Sequence, residues 1–239
     1  MVRKSSLSLP PMERRKVILW AAASAMASTG CSSSRLPPPP KRNEITERAQ
    51  VFDLVDVEAF VPGVFFDLRY KTRNNVLGRP LYPENMPCLL KRETALKLRR
   101  VRELVARRGF TLKIWDGWRP PEVQALFHDE LGHTGLFLDP QIMWSRHCTG
   151  TAVDLTLVTE RGRYVAMPTD FDEGGNRARY DGSEATVAQR QNLAILQHAM
   201  HDVGFLLIDT EWWHFDDGDF AFNQPRVVSA KDLGLILPM

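Results

Sequence analysis

Residues 145–157 read SRHCTGTAVDLTL. From Thr151 the pattern is that of a buried, β-branched strand, and Gly150 interrupts the approach to it. His147 and Asp154 are seven positions apart, so on one uninterrupted strand they would face opposite sides. Gly150 lets the chain turn between them, which leaves His147 on the approach and Asp154 on the strand. The companion positions Ala152 and Thr156 are small and leave room for an ion. A second stretch, EWWHF at 211–215, again sets an imidazole beside a carboxylate. Glu211 and His214 are three apart, so both reach one centre only through a bend or bulge. Two histidines and one carboxylate are a common catalytic zinc set that keeps a position for water, and a further carboxylate outside the set can take the proton. The two stretches supply Asp154 and Glu211 for these two roles.

Outward from these stretches, strands and helices alternate unevenly. VFDLVDV (51–57) and VFFDLRY (64–70) have strand composition and flank a Pro62-Gly63 turn, whereas 74–87 reads as loop. Residues 91–108 place Ala95, Leu98, Val101 or Arg102, and Val105 at helical spacing, with Gly109 as the stop. FTLKIWD (110–116) is a buried strand that runs into the turn DGWRPP, and Pro121 opens the next helix. RYVAMP (163–168) is expected to pair with TAVDLTLV as a hairpin. A helix from about Ala185 to Val203 stops at Gly204, and FLLI and EWWHFD are the closing strands. Without repeated βαβ units or an internal repeat, the order predicts a single α+β domain with a central antiparallel sheet flanked by helices. His198 and His201 form another candidate metal pair, but the apolar stripe Leu193, Leu196, Met200, Val203 turns His198 outward.

The 239 residues are 44% hydrophobic and 25% charged, which excludes disordered and collagen-like classes and suffices for one ordinary core. Net charge is +2, and the positive excess gathers before residue 43, so the body offers no basic face for nucleic acid. Cys31, Cys88 and Cys148 are too few for a disulfide framework, and Cys148 reads as a quiet buried thiol. MERRKVILWAAASAMASTGC (12–31) has the cationic start, apolar middle and small-residue end of an export signal, too short to span a bilayer permanently. Ser28-Thr29-Gly30 before Cys31 resembles a bacterial lipobox, which makes Cys31 a candidate lipid attachment point and its acyl chain the expected membrane contact. Arg14-Arg15 also resembles a twin-arginine export signal. SSSRLPPPPKRN then makes an extended spacer. The expected division is a signal over 1–31, a Pro/Ser-rich linker over 32–45 and the folded domain over 46–239, placed in the cell envelope.

SRHCTGTAVDLTL resembles the SxHxxGxAxD metal motif of the D-alanyl-D-alanine dipeptidases, and EWWH is similar to their ExWH motif. DLRYKTRNNVLGRPL, LLKRETALKL, WDGWRP and MPTDFDEGG have counterparts in the same order, so the resemblance spans roughly residues 53–217. It implies the fold shared by zinc D-alanyl-D-alanine peptidases, lysostaphin-like enzymes and hedgehog domains. It further implies one zinc ion held by His147, Asp154 and His214, with Glu211 as the general base and Arg119 as the arginine that stabilises the transition state. Ser145 and Asp172 fall where the family contacts the substrate's ammonium group, which implies a dipeptidase acting on D-alanyl-D-alanine or a related wall peptide. Two other readings stay open: a carboxypeptidase or endopeptidase on longer wall peptides, and a non-catalytic zinc-fold lipoprotein that binds wall fragments. Trp118 and Cys148 depart from the family pattern, as does EGGNRARYDGSEA (173–185).

Overall fold

The computed structural model of the chain describes residues 39–239. The export signal, Cys31 and most of the spacer lie outside the described residues. A helix α1 (Arg42–Gln50) starts inside the stretch expected as linker, because Ile45 and Ala49 bury one side of it against the domain. A helix thus starts at Arg42, ahead of the expected boundary at 46.

Five strands form the central sheet: β2 (Phe65–Phe66), β4 (Phe110–Asp116), β5 (Ala152–Thr159), β6 (Phe205–Ile208) and β7 (Glu211–Asp217), in the spatial order β2-β4-β5-β7-β6. All neighbours are antiparallel except the short edge strand β2, which runs parallel to β4. A separate two-stranded ribbon pairs β1 (Leu54–Asp56) with β3 (Leu89–Lys91). The helices are α2 (Val57–Phe60), α3 (Arg92–Ala106), α4 (Pro121–Leu131) and α5 (Val187–Asp202). The α+β class with a central, predominantly antiparallel sheet is thus the observed one.

Local chemistry explains where the elements fall short of the strand composition. Asp56 accepts a hydrogen bond from the Glu58 amide and so caps α2, which ends the first expected strand after three residues. In the second, Arg69–Lys71 form a 3-10 turn, and RYVAMP contributes only a bridge between Val158 and Tyr164. The ribbon strand β3 was not anticipated: LLK is too short to carry a period of its own.

Alternation along β5 sorts its two faces. Val153, Leu155 and Leu157 bury into the core, and α3 packs on that side, anchored where Thr94 donates to the buried Asp217 carboxylate at 2.7 Å. Ala95, Leu98, Val101 and Val105 of α3 are buried at the spacing expected for its core stripe. The opposite face carries Asp154 and Thr156. The register pairs Asp154 with His214 on β7 and with Asp116 on β4, so three ionisable residues form one row across the middle of the sheet.

Candidate active site

His147 reaches this row from a 3-10 turn, Arg146–Thr149, that immediately precedes β5. Ser145 caps the turn by accepting from the His147 amide at 3.3 Å. Gly150 closes it at φ +74°, and a Cβ there would lie 2.4 Å from the Leu54 side chain, so both conformation and space demand glycine. Glu211 and His214 reach the same centre because the β6–β7 register jumps between Leu207 and Ile208, the bulge that their spacing requires.

The result is a tight cluster. His147 Nε2 lies 3.2 Å from Asp154 Oδ2 and 3.1 Å from His214 Nδ1, and His214 Nδ1 lies 3.0 Å from Asp154 Oδ1. Among the described residues these three form the group whose ligand atoms lie close enough together to hold a metal ion. Their outer partners fix both tautomers. His147 Nδ1 is 2.7 Å from the Gly117 carbonyl, an acceptor only, so Nδ1 donates and Nε2 keeps its lone pair. His214 Nε2 donates to Asp216 Oδ1 at 3.0 Å, which leaves the lone pair on Nδ1. Two lone pairs and a carboxylate thus converge on one point, an arrangement that repels itself without a cation and fits a zinc ion. The field has the same sense: burial alone would lower the His214 imidazolium, but Asp154 and Asp216 raise it well above its ordinary value. Burial likewise opposes ionisation of Asp154, yet positive charge on the two rings holds its carboxyl below the usual carboxylate range, so the site favours a cation beside it.

Arg119, from the turn after β4, is buried with all three guanidinium nitrogens committed. Nε donates to Asp116 at 2.9 Å, Nη1 to Gln124 at 2.9 Å and Nη2 to Asp154 at 3.4 Å. Asp116 also accepts from Tyr82 at 2.9 Å. The plane lies over the Tyr70 ring at 5.2 Å and the Phe127 ring at 5.3 Å. Glu211 stands at the edge of the cluster, its Oε2 4.0 Å from His214 Nδ1, and burial raises its carboxyl above the ordinary value.

A cavity of about 320 Å³ opens over the cluster and brings together all seven site residues expected within the folded domain: Ser145, His147, Asp154 and His214 with Arg119, Asp172 and Glu211. Asp172 adopts a left-handed backbone, φ +58°, rare for a residue with a side chain, and accepts from the Tyr70 hydroxyl at 2.9 Å. Burial pushes its carboxyl up to about 8. A larger cavity of about 460 Å³ lies further along the sheet, but none of the His147–Asp154–His214 donors line it, so the expected site residues belong to the smaller one. His198 and His201 are both exposed and form no metal group with other described residues. Cys88 and Cys148 are buried free thiols, and burial pushes Cys148 up to about 12.

Sequence reasoning overlooked Asp116, Gln124 and Asp216. For Asp216 a signal existed: two residues past His214 on a strand, it must share that histidine's face. Gln124 carried none, because its partner Arg119 sits across a turn.

The family model described as D-ala-D-ala dipeptidase matches residues 50–232. The chain is similar to D-alanyl-D-alanine dipeptidase of Escherichia coli (strain K12), 33% identical over 165 residues that make up 69% of this chain and 84% of that protein. It is also similar to the D-alanyl-D-alanine dipeptidases of Streptomyces coelicolor (strain ATCC BAA-471 / A3(2) / M145), at 29% identity over 68% of this chain and 90% of that protein, and of Enterococcus faecium, at 28% over 66% and 88%.

Proposed function

The chain belongs to the D-ala-D-ala dipeptidase family, and on that premise we propose that it is a zinc peptidase that hydrolyses D-alanyl-D-alanine to two D-alanines. The observation that carries the reading is the convergence of His147 Nε2, His214 Nδ1 and Asp154 within 3.0–3.2 Å, each imidazole locked by an outer acceptor in the tautomer that offers its lone pair inward.

These three residues would hold the ion. Zinc bound there supplies Lewis-acid polarisation of the scissile carbonyl and makes a water acidic near neutral pH. Glu211, facing the same cavity with a raised carboxyl, takes the proton from the attacking water and returns it to the departing amino group. Arg119 supplies fixed positive charge to the oxyanion that forms on the carbonyl, and its three anchors keep it from having to reorganise. Ser145 and Asp172 receive the substrate's ammonium group. The Ser145 hydroxyl serves in two ways, since its oxygen also caps the turn that carries His147. A cavity of about 320 Å³ is at the small end of ligand sites, in keeping with a dipeptide.

The physiological setting follows from the leader rather than from the site: export, attachment of lipid to Cys31, and a proline stalk that holds the domain at the envelope for turnover of wall peptides. Comparing free D-alanyl-D-alanine with its N-acetylated form tests the assignment. The free dipeptide is expected to be the far better substrate, and cleavage of the capped peptide alone would replace the dipeptidase reading with a carboxypeptidase.

A further inference from the structure

The cavity of about 460 Å³ has no part in the chemistry above. Thr156 and Val158, which follow Asp154 on the same face of β5, form part of its floor with Trp115 of β4. Its charged lining is Arg69, Lys113 and Arg177 against Asp170 and Glu173. The two carboxylates are already engaged. Asp170 accepts from the Arg69 guanidinium at 2.8 and 3.3 Å and from the Phe171 amide at 2.8 Å, and Glu173 accepts from the Asp170 amide at 3.1 Å. Among the described residues no hydrogen bond engages the Lys113 ammonium, which acts on Asp170 through its charge alone, or the Thr156 hydroxyl, although Thr156 is almost wholly buried. Positive charge and a free hydroxyl above an apolar floor of Val158, Val165 and Met167 are complementary to an anion on a small organic body.

The loop over this cavity also shapes the catalytic one. Asp170 and Glu173 face the larger cavity, whereas Asp172, between them, faces the smaller. The loop is fastened at two successive residues of one turn: Arg69 holds Asp170, and Tyr70 holds Asp172. A carboxylate that competed with Asp170 for Arg69 would loosen the fastening next to Asp172 and its left-handed backbone.

We propose that the larger cavity is a second ligand site, for a small organic carboxylate held by Lys113, Thr156 and Arg69, and that its occupancy weakens the hold of Asp172 on the substrate's ammonium. The second half rests on the dipeptidase reading; the first does not.

The test is calorimetric titration of the metal-loaded full chain with N-acetyl-D-alanine, which has the carboxylate but no ammonium, and in parallel with free D-alanine, which separates a capped fragment from the reaction product as the source. Binding of at least one is expected, weakened about tenfold or more in Lys113→Met and about fivefold in Thr156→Val, the losses typical of a charged and a neutral hydrogen bond. No binding, or equal binding by parent and both variants, overturns the site. In steady-state hydrolysis of the dipeptide, the ligand should raise KM and leave kcat unchanged in the parent, and do neither in Lys113→Met. A KM effect of equal size in Lys113→Met would place the ligand in the catalytic cavity and overturn the proposal, and binding without any KM effect would overturn its second half. Because the titration needs no turnover, a chain without dipeptidase activity would fail the functional reading and leave the site testable.

Discussion

Replacing Arg119 with lysine keeps the charge and removes the fork. The guanidinium makes three side-chain bonds at once, to Asp116, Gln124 and Asp154, inside a pocket closed by Tyr70 and Phe127. A lysine ammonium on a four-carbon stem can meet one of these partners and leaves Asp116, which has no exposure to solvent, with only Tyr82. Hydrogen bonds to charged groups contribute roughly 1.5–3 kcal/mol each, and two of the three are lost while the charge itself is retained. The variant should therefore lose about 3–6 kcal/mol of unfolding free energy, a large part of the roughly 5–15 kcal/mol that holds a domain together. Its effect on catalysis should be separate. Loss of one fixed donor to a developing oxyanion lowers kcat by about 10²–10³, whereas His147 and His214 keep their outer partners, Gly117 and Asp216, and metal content should stay near the parent level. Urea denaturation, metal analysis and kcat on the dipeptide, all on one preparation, check the three statements. A kcat within threefold of the parent would refute the role given to Arg119, and loss of metal together with activity would mean that the arginine acts by holding Asp154.

Removal of the Asp216 side chain, as in Asp216→Ala, frees the Nε2 proton of His214 from its acceptor and should weaken metal affinity roughly 10–100-fold in chelator competition, with His147 unaffected. Asp172 binds its proton more tightly in the folded state, about 8, than in the unfolded chain, about 3.9. The folded state thus holds the extra proton between these values, so this group's contribution to stability is complete below about pH 4 and is lost as pH rises through about 8. Asp172→Asn should flatten that fall in Tm, read in a pH series of thermal melts, and should raise KM for the free dipeptide with little change for a capped one. By the same linkage, an ammonium seated beside Asp172 expels its proton, so dipeptide binding at pH 7 should release protons, measurable by calorimetry in buffers of different ionisation heat.

Much of this architecture was readable from the chain, and the exceptions share a cause. The long helices and strands announced themselves because Leu98, Val101 and Val105, or Val153, Leu155 and Leu157, repeat the period of their element over several turns or pairs. The elements that differed are short and decided by neighbours: Asp56 caps a helix where strand composition continues, and β3 exists only because β1 lies opposite. The site divides in the same way. His147, Gly150 and Asp154 could be placed from local geometry, and the spacing of Glu211 and His214 demanded the bulge that the register contains. Asp116 and Gln124 become partners of Arg119 only through the turn that follows β4, which no local period encodes. The assignment of Asp154 rather than Glu211 to the ion rests on the family resemblance; in the structure Asp154 lies 3.0–3.2 Å from both histidine nitrogens and Glu211 4.0 Å from one.

The most direct measurement takes zinc content and D-alanyl-D-alanine turnover together for Glu211→Ala and His147→Ala. If Glu211 moves the proton while His147, Asp154 and His214 hold the ion, the first variant keeps about one zinc per chain and loses nearly all turnover, and the second loses both. Turnover by Glu211→Ala equal to that of the parent, or full zinc occupancy in His147→Ala, would contradict the account.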